Sequence, residues 1–166
     1  MKKVVITTLI VLTACWAAFA QSSRIAAKDV KRMEGPKWTG TLIYLDYSSN
    51  KKTSIKSNLT VTRKRNQPLT WIFAYEYPDE PKANRSSDAM LEGDGQKFFG
   101  ETFVAKEYLP NKTLRLVTTQ PGTDNDKKAL FRYTYLVSSK TFSIKKEVQI
   151  EGSSDWFQRN EYSWMR

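Results

Sequence analysis

Apolar and polar residues alternate with a period of two through most of the chain after Trp38, and this pattern constrains the fold most strongly. In segment 53–63, for example, Ile55, Leu59 and Val61 fall on one face. Successive side chains of a β-strand point to opposite faces, so the alternation predicts half-buried strands. The candidate strands are one that begins at Trp38 and the segments 53–63, 69–77, 87–92, 96–106, 113–119, 129–137, 141–150 and 156–165.

The connections between these segments are short and rich in turn residues. Gly93-Asp94-Gly95 predicts a tight hairpin, Gln120-Pro121-Gly122 predicts another turn, and the longest connection is 78–84. Short connections join antiparallel neighbours, so we predict an all-β fold: an up-and-down meander of about 8–9 strands. A two-sheet sandwich has the same local pattern. The uniformly short connections favour a closed barrel, which leaves no exposed strand edge.

A short amphipathic helix is predicted just before the strands. In segment 24–34, Ala26, Val30 and Met33 share one face, and Gly35-Pro36 ends the helix. We expect this helix to cover an edge of the core. The predicted organisation is therefore a helix and lead-in over 21–36 and a β-barrel domain over 37–166.

The first twenty residues have the features of an export signal. A basic start at Lys2 and Lys3 precedes a short apolar run, which ends at Ala18-Phe19-Ala20. Cleavage after Ala20 would release a soluble periplasmic or secreted domain. The earlier Leu12-Thr13-Ala14-Cys15 resembles a lipobox and would instead lipidate Cys15. Because the apolar run continues beyond Cys15, the soluble form is favoured, and both alternatives predict an extracytoplasmic domain.

Composition excludes several chemistries. The chain has no histidine, and its single cysteine, Cys15, lies in the predicted signal. Serine–histidine triads, cysteine–histidine dyads and the usual zinc sites therefore cannot form. We accordingly assign no catalytic residue and expect no metal and no cofactor; whether the protein is an enzyme stays open, with the balance against it.

The formal net charge is +10, and about +8 remains without Lys2 and Lys3. The basic residues form clusters at Lys51-Lys52, Arg63-Lys64-Arg65, Lys127-Lys128 and Lys145-Lys146, mostly near predicted turns. Such clusters usually keep strand ends solvated, and the alternative is attraction to an anionic envelope surface. Nucleic acid is not an expected partner for an exported protein, and we expect a monomer.

The two ends of the predicted barrel resemble those of the lipocalin-like proteins of the calycin superfamily. Gly35-x-x-Trp38 enters the first strand after a short helix, and Arg166 ends the last strand. The resemblance implies that Trp38 packs under Arg166 and closes the base of the barrel. An arginine over an indole face is favoured by cation–π attraction and by the planar shape of both groups.

If Trp38 points inward, then Tyr44 and Asp46 on the same strand also do. The same alternation places Arg132 and Glu161 on the outside. The resulting interior is strongly aromatic, which suits a small hydrophobic molecule or lipid, although the rings could equally fill the barrel. The candidate ligand-lining residues are Tyr44, Trp71, Phe73, Tyr75, Phe131, Tyr133, Tyr135, Tyr162 and Trp164.

Three functions follow from these expectations. The first is an exported lipocalin-like protein that binds or carries a small hydrophobic ligand inside the barrel, which requires a cavity open at one end. The second is a barrel enzyme, an isomerase, cyclase or lyase, that uses Asp, Glu, Lys or Tyr for proton transfer; it requires a buried carboxylate or lysine with a shifted pKa in a pocket. The third is an envelope-structural or inhibitor-type protein that acts through its outer surface, with a filled barrel and an exposed patch.

Overall fold

The computed structural model describes residues 24–166. The predicted signal segment 1–20, including Cys15, and the first residues of the lead-in lie outside the described residues. In the part of the chain that is described, no helix is both long enough and apolar enough to span a bilayer.

Ten antiparallel strands close into one barrel, because β1 pairs with β2 on one side and with β10 on the other. This confirms the predicted all-β class and the closed antiparallel meander, with ten strands in place of about 8–9. The elements are α1 (Ala27–Lys31), β1 (Gly35–Asp46), β2 (Lys51–Arg63), β3 (Thr70–Glu76), β4 (Arg85–Glu92), β5 (Lys97–Phe98), β6 (Glu101–Tyr108), β7 (Leu114–Asp124), β8 (Lys127–Val137), β9 (Thr141–Ile150) and β10 (Phe157–Met165).

The additional strand comes from segment 96–106, which the alternation predicted as a single strand. Phe99 and Gly100 both have positive φ, 59° and 76°, and they turn the chain between β5 and β6. A positive φ is unusual for an aromatic residue, whereas glycine adopts it freely. The turn places Glu101 at the first position of β6.

The β7–β8 turn also differs from the prediction. Gln120-Pro121-Gly122 lies inside β7, and the chain reverses at Asn125 and Asp126, whose φ angles are 46° and 62°. The pairing of β6 with β7 extends only to Thr119. Residues 120–124 therefore have β8 as their one partner strand, and proline is tolerated on such a free edge.

The barrel base is the closed end, where α1, the start of β1 and the end of β10 meet. Trp38, Trp71 and Trp164 are at most 2% exposed there, and Val30 and Met33 from the α1 region are fully buried. Aromatic edges and faces fill the remaining space, with Phe142 between Trp38 and Trp164 at centroid distances of 5.7 and 5.3 Å. The base is thus a packed core of aromatic rings.

Trp38 and Arg166 lie together at the outer edge of this base. The Arg166 guanidinium carbon is 4.0 Å from the centroid of the Trp38 ring. Arg166 Nη1 also donates to the Glu34 carbonyl at 2.7 Å, and Trp38 Nε1 donates to the Met33 carbonyl at 2.9 Å. The pair therefore links the last residue of the chain to the segment between α1 and β1.

A buried ion pair attaches α1 to β6. Lys106 Nζ lies 2.7 Å from Asp29 Oδ2, and both side chains are almost completely buried. Lys106 also donates to the Arg24 carbonyl at 2.8 Å, and the Tyr108 hydroxyl donates to Asp29 Oδ1 at 2.6 Å. Burial by itself raises the pKa of Asp29, but the hydrogen bonds from Lys106, Tyr108 and the Ala26 backbone hold it below its ordinary value.

We expect Lys106→Met to lower the free energy of unfolding by about 3–5 kcal/mol, because it leaves the Asp29 carboxylate buried without its countercharge. Urea denaturation measures the effect. The control is Lys56→Met, which removes a pair of exposed side chains, Lys56 and Asp79, 3.3 Å apart. Equal losses in the two variants would show that the buried pair does not anchor α1.

Trp38→Ala should lower the free energy of unfolding by about 3–5 kcal/mol, because it removes a fully buried indole and leaves a cavity in the barrel base. Trp156→Ala is the matched control. Trp156 also lies under an arginine, with the Arg132 guanidinium carbon 4.2 Å from its centroid, but it is partly exposed outside the barrel. Its loss should change stability by no more than about 1 kcal/mol. An unchanged melting temperature for Trp38→Ala would contradict a closing role.

Candidate functional site

Above the base, the inward side chains leave an open space of about 410 Å³, here called the upper cavity. It is lined by Tyr75, Arg85, Ser87, Phe99, Glu101, Gln120, Tyr133, Tyr135, Ile144, Lys146, Asn160 and Tyr162. A second space of about 340 Å³, the rim cavity, adjoins it and shares Arg85, Lys146, Asn160 and Tyr162. The barrel is therefore filled at one end and hollow toward the other.

The predicted lining residues divide between these two regions. Tyr75, Tyr133, Tyr135 and Tyr162 line the upper cavity, and Tyr44 lines the rim cavity. The remaining four do not line either cavity: Trp71, Phe73 and Trp164 belong to the packed core, and Phe131 belongs to a small separate cluster with Ala129 and Val148. The alternation identifies which face of a strand is inward, but not the height of a residue along the barrel.

Asp46, predicted to point inward with Tyr44, instead organises the β1–β2 turn. Its Oδ1 accepts from the Ser48 backbone N–H at 2.9 Å and from the Ser48 hydroxyl at 2.7 Å, and its Oδ2 accepts from Ser49 at 2.8 Å. These bonds lower the pKa of Asp46. The carboxylate is thus a turn residue of the kind that aspartate commonly forms.

Glu101 is a buried carboxyl group in the wall of the upper cavity. It is 4% exposed, and the Tyr135 hydroxyl lies 2.8 Å from Oε2 and 3.0 Å from Oε1. The Thr118 hydroxyl also donates to Oε2. Burial raises the pKa of Glu101 to about 7, although these hydrogen bonds and the charge of Lys146 act in the opposite direction. The group can therefore gain or lose a proton near neutral pH.

Sequence reasoning missed Glu101 because it treated 96–106 as one strand. A signal was present in Phe98-Phe99-Gly100, since a glycine inside a strand pattern indicates a bend or bulge. A break at Gly100 places Glu101 at the start of a new strand. Its inward direction then depends on the pairing of β6 with β7.

Arg85 brings a positive charge to both cavities. Its Nη2 donates to the Tyr162 hydroxyl at 2.9 Å, and its guanidinium carbon lies 5.1 Å from the Tyr75 ring centroid. The Tyr162 hydroxyl also hydrogen bonds to that of Tyr77 at 2.8 Å. Burial is the main cause that raises the pKa of Tyr162, which stays a neutral phenol.

Lys146 brings a second positive charge to the same space. Its Nζ lies 3.5 Å from the centroid of Phe131 and 5.9 Å from that of Tyr133. Burial lowers the pKa of Lys146, and the nearby Arg159 acts in the same direction, whereas Asp124 and Glu101 act against it. Within residues 24–166, Lys146 forms no ion pair with a carboxylate.

The structure corrects the interpretation of Lys145-Lys146 as one solvated cluster near a turn. Both residues lie inside β9 and face opposite sides of the barrel wall. Lys145 Nζ is 3.2 Å from Glu147 Oε1 on the outer face, together with Arg132 and Glu161, as the alternation predicted for those two. The period-two pattern of β9 already separates the two lysines, with Phe142, Ile144 and Lys146 on the inner face.

Asp124, Arg159 and Tyr47 form a polar cluster at the rim. Arg159 Nε lies 3.5 Å from Asp124 Oδ1, its guanidinium carbon lies 4.2 Å from the Tyr47 centroid, and the Tyr47 hydroxyl donates to Asp124 Oδ2. Burial and this hydrogen bond raise the pKa of Tyr47 to about 12. The cluster links the β1–β2 and β7–β8 turns across the mouth.

Among the described residues 24–166, no three acidic, cysteine or histidine side chains lie close enough to hold a metal ion. The charged groups that line the two cavities are one carboxyl, that of Glu101, and three cations, those of Arg85, Lys146 and Arg159; phenols and amides line the rest. Such a set can bind polar groups of a ligand and can exchange protons with it.

No protein-family model matches the chain, and a search of the curated proteins finds no similar sequence. The class of the molecule is therefore defined by its fold and cavity: a closed ten-stranded antiparallel barrel, filled at its base and hollow above it.

We expect the stability of the protein to depend on the ionisation of Glu101. In the unfolded chain Glu101 has the ordinary glutamate pKa of 4.5, whereas burial in the fold raises its pKa to about 7. The raised value means that its contribution is fully present below pH 4.5 and is lost as the pH rises toward 7, by about 3 kcal/mol.

Glu101→Gln removes this ionisation while it keeps an oxygen that can accept from Tyr135. The difference in unfolding free energy between the variant and the natural protein, measured by urea denaturation from pH 4 to 8, should therefore change between pH 4.5 and 7 in favour of the variant. A difference that stays constant over this window would contradict a buried, titrating Glu101.

Proposed function

We propose that the protein is an exported, lipocalin-like barrel that binds one small, largely hydrophobic molecule in the upper cavity. The observation that carries this proposal is the combination of a filled base with a space of about 410 Å³ above it. Ligand pockets typically measure about 300–1,000 Å³ and combine apolar walls with a few polar groups. A structural protein that acts only through its outer surface has no need of such a space.

The lining favours a ligand with a flat or short aliphatic body and at least one polar group. Phe99, Ile144 and the ring faces of Tyr75 and Tyr133 provide apolar contact area. Arg85 and Lys146 lie where the upper and rim cavities join and can bind a polar or anionic end of the ligand. The ligand that we propose is therefore amphipathic.

Export is part of the same proposal and rests on the features of segment 1–20. Residues 24–166 contain no cysteine. A domain of this kind is compatible with an oxidising compartment. The intact mass of the full chain after expression in a bacterium separates cleavage after Ala20 from lipidation of Cys15, and an uncleaved chain would contradict export.

Binding in the upper cavity is tested by filling it. Ser87 lines the cavity and Ser143 lies on the outer face, so Ser87→Phe and Ser143→Phe add the same ring on opposite sides of the barrel wall. We expect Ser87→Phe to weaken binding of the flat aromatic anion anilinonaphthalene sulfonate at least about tenfold, with no change for Ser143→Phe. Near-ultraviolet circular dichroism verifies that both variants are folded. Equal affinity of both variants would place the dye elsewhere and contradict the proposal.

A second candidate function is acid–base catalysis on the bound molecule, and Glu101 is the observation that favours it. A carboxyl group with a pKa of about 7 in a cavity wall can act as a general acid or base at neutral pH. Once native mass spectrometry identifies a retained molecule, its conversion by the natural protein can be compared with that by Glu101→Gln. Equal rates for the two proteins would exclude Glu101 as the catalytic group.

A further inference from the structure

The side chain of Lys146 lies on the inner side of the barrel wall, away from the charged side chains of the outer surface. It lines both the upper cavity and the rim cavity. Its Nζ lies 3.5 Å from the ring centroid of Phe131 and 5.9 Å from that of Tyr133. An aromatic face attracts an ammonium group more weakly than a buried carboxylate does, and within residues 24–166 no carboxylate forms an ion pair with this nitrogen.

The two carboxylates that face Lys146 are already bound by other groups. Asp124 accepts from Tyr47 through Oδ2 and pairs with Arg159 through Oδ1. Glu101 accepts from Tyr135 and from Thr118. The third charge near Lys146 is the Arg159 guanidinium, which disfavours a second positive charge.

These surroundings make Lys146 more nucleophilic than a surface lysine. Burial is the largest cause that lowers its pKa, so a larger fraction of the amine is neutral at pH 7. A neutral, desolvated lysine amine attacks carbonyl carbons, and this is how lysines form Schiff bases. Glu101 in the same cavity can supply the proton that the reaction needs.

We propose that Lys146 binds small aromatic aldehydes or ketones covalently, as a Schiff base inside the upper cavity. This inference rests on the proposed function, because the carbonyl compound must first enter the cavity. It narrows the ligand class from amphipathic molecules to those that carry a carbonyl group.

The reaction is a condensation without any oxidation or reduction. The Nζ lone pair attacks the carbonyl carbon, and one of the two protons on the resulting ammonium nitrogen moves to the carbonyl oxygen, which gives a carbinolamine. Protonation of that hydroxyl by Glu101 lets it leave as water while the C=N bond forms, and the nitrogen gives up a proton that restores Glu101. One water is released, and hydrolysis reverses the binding.

Lys145 provides an internal control, because it neighbours Lys146 on β9 and faces outward. Lys145 Nζ pairs with Glu147 at 3.2 Å, whereas Lys146 has no ion pair within the described residues. A reaction that only requires an exposed amine labels Lys145 and the other surface lysines. A reaction that requires the cavity labels Lys146.

The test uses 2-naphthaldehyde and 2-naphthalenemethanol, which share a flat ring system and differ in the carbonyl group. The whole protein is incubated at pH 7 with the aldehyde and cyanoborohydride, which reduces a Schiff base to a stable secondary amine, and labelled lysines are identified by peptide mass spectrometry. Native mass spectrometry records non-covalent binding of the alcohol. The variants are Lys146→Met, Lys145→Met, Glu101→Gln and the cavity-filling Ser87→Phe.

We expect labelling on the order of tenfold faster at Lys146 than at Lys145. The alcohol should bind without labelling and should slow the labelling of Lys146 by the aldehyde. Lys146→Met should lose the rapid label, Lys145→Met should keep it, and Glu101→Gln should slow it. The competition by the alcohol is measured on the natural protein and therefore does not depend on how well a variant folds.

Two outcomes would overturn the inference in distinguishable ways. If the alcohol binds but the label spreads evenly over the lysines, the Schiff base is wrong and the proposed function stands. If neither compound enters the cavity, so that Ser87→Phe changes neither binding nor labelling, the proposed function fails together with the inference.

Discussion

Pairing of β1 with β10 is the constraint on which the rest of this structure depends. It joins the two ends of the domain in register from Thr39 opposite Met165 to Tyr44 opposite Asn160. Closure gives both β1 and β10 a partner on each side and turns one face of every strand into a shared interior. The start of β1 and the end of β10 then lie side by side at the barrel base, so Arg166 can cover Trp38.

The closed interior is used in two different ways along its length. At the base, indole and phenyl rings pack against one another and against the α1 region, and the buried Asp29–Lys106 pair connects α1 to the sheet. Farther from the base, the inward aromatic residues are tyrosines. The Tyr135 hydroxyl donates to Glu101, and the Tyr162 hydroxyl accepts from Arg85. The closely packed base therefore supports the upper cavity, whose wall carries phenol hydroxyls and charged groups.

The charges of the cavity differ from those of the base in how they are compensated. Asp29 and Lys106 neutralise each other, whereas Glu101 and Lys146 share a cavity wall without forming an ion pair. Burial disfavours the charged form of each group, so it raises the pKa of Glu101 and lowers the pKa of Lys146. Such groups cost stability, and shifted pKa values of this kind cluster at functional sites.

The sequence by itself determined most of the strands and the inward direction of residues such as Tyr75, Tyr135 and Trp164, because alternation is a local property of the chain. Its short connections determined the antiparallel order and favoured the closed barrel over a two-sheet sandwich. Only the tertiary structure decided what depends on pairing between strands. Glu101 and Lys106 have opposite parity, yet both face inward, since a register shift between Phe103 and Ala105 interrupts β6.

The register between strands likewise decided how far along the barrel axis each inward residue lies. Trp71 and Phe73 therefore belong to the packed base, whereas Tyr75 and Lys146 line the cavity. Alternation shows whether a side chain points inward but not its position along the barrel axis, because every second residue of a strand points the same way whatever its partner strands are. The positions that carry the proposed chemistry were therefore visible in the sequence as inward residues at most. Their meeting in one cavity is a property of the closed sheet.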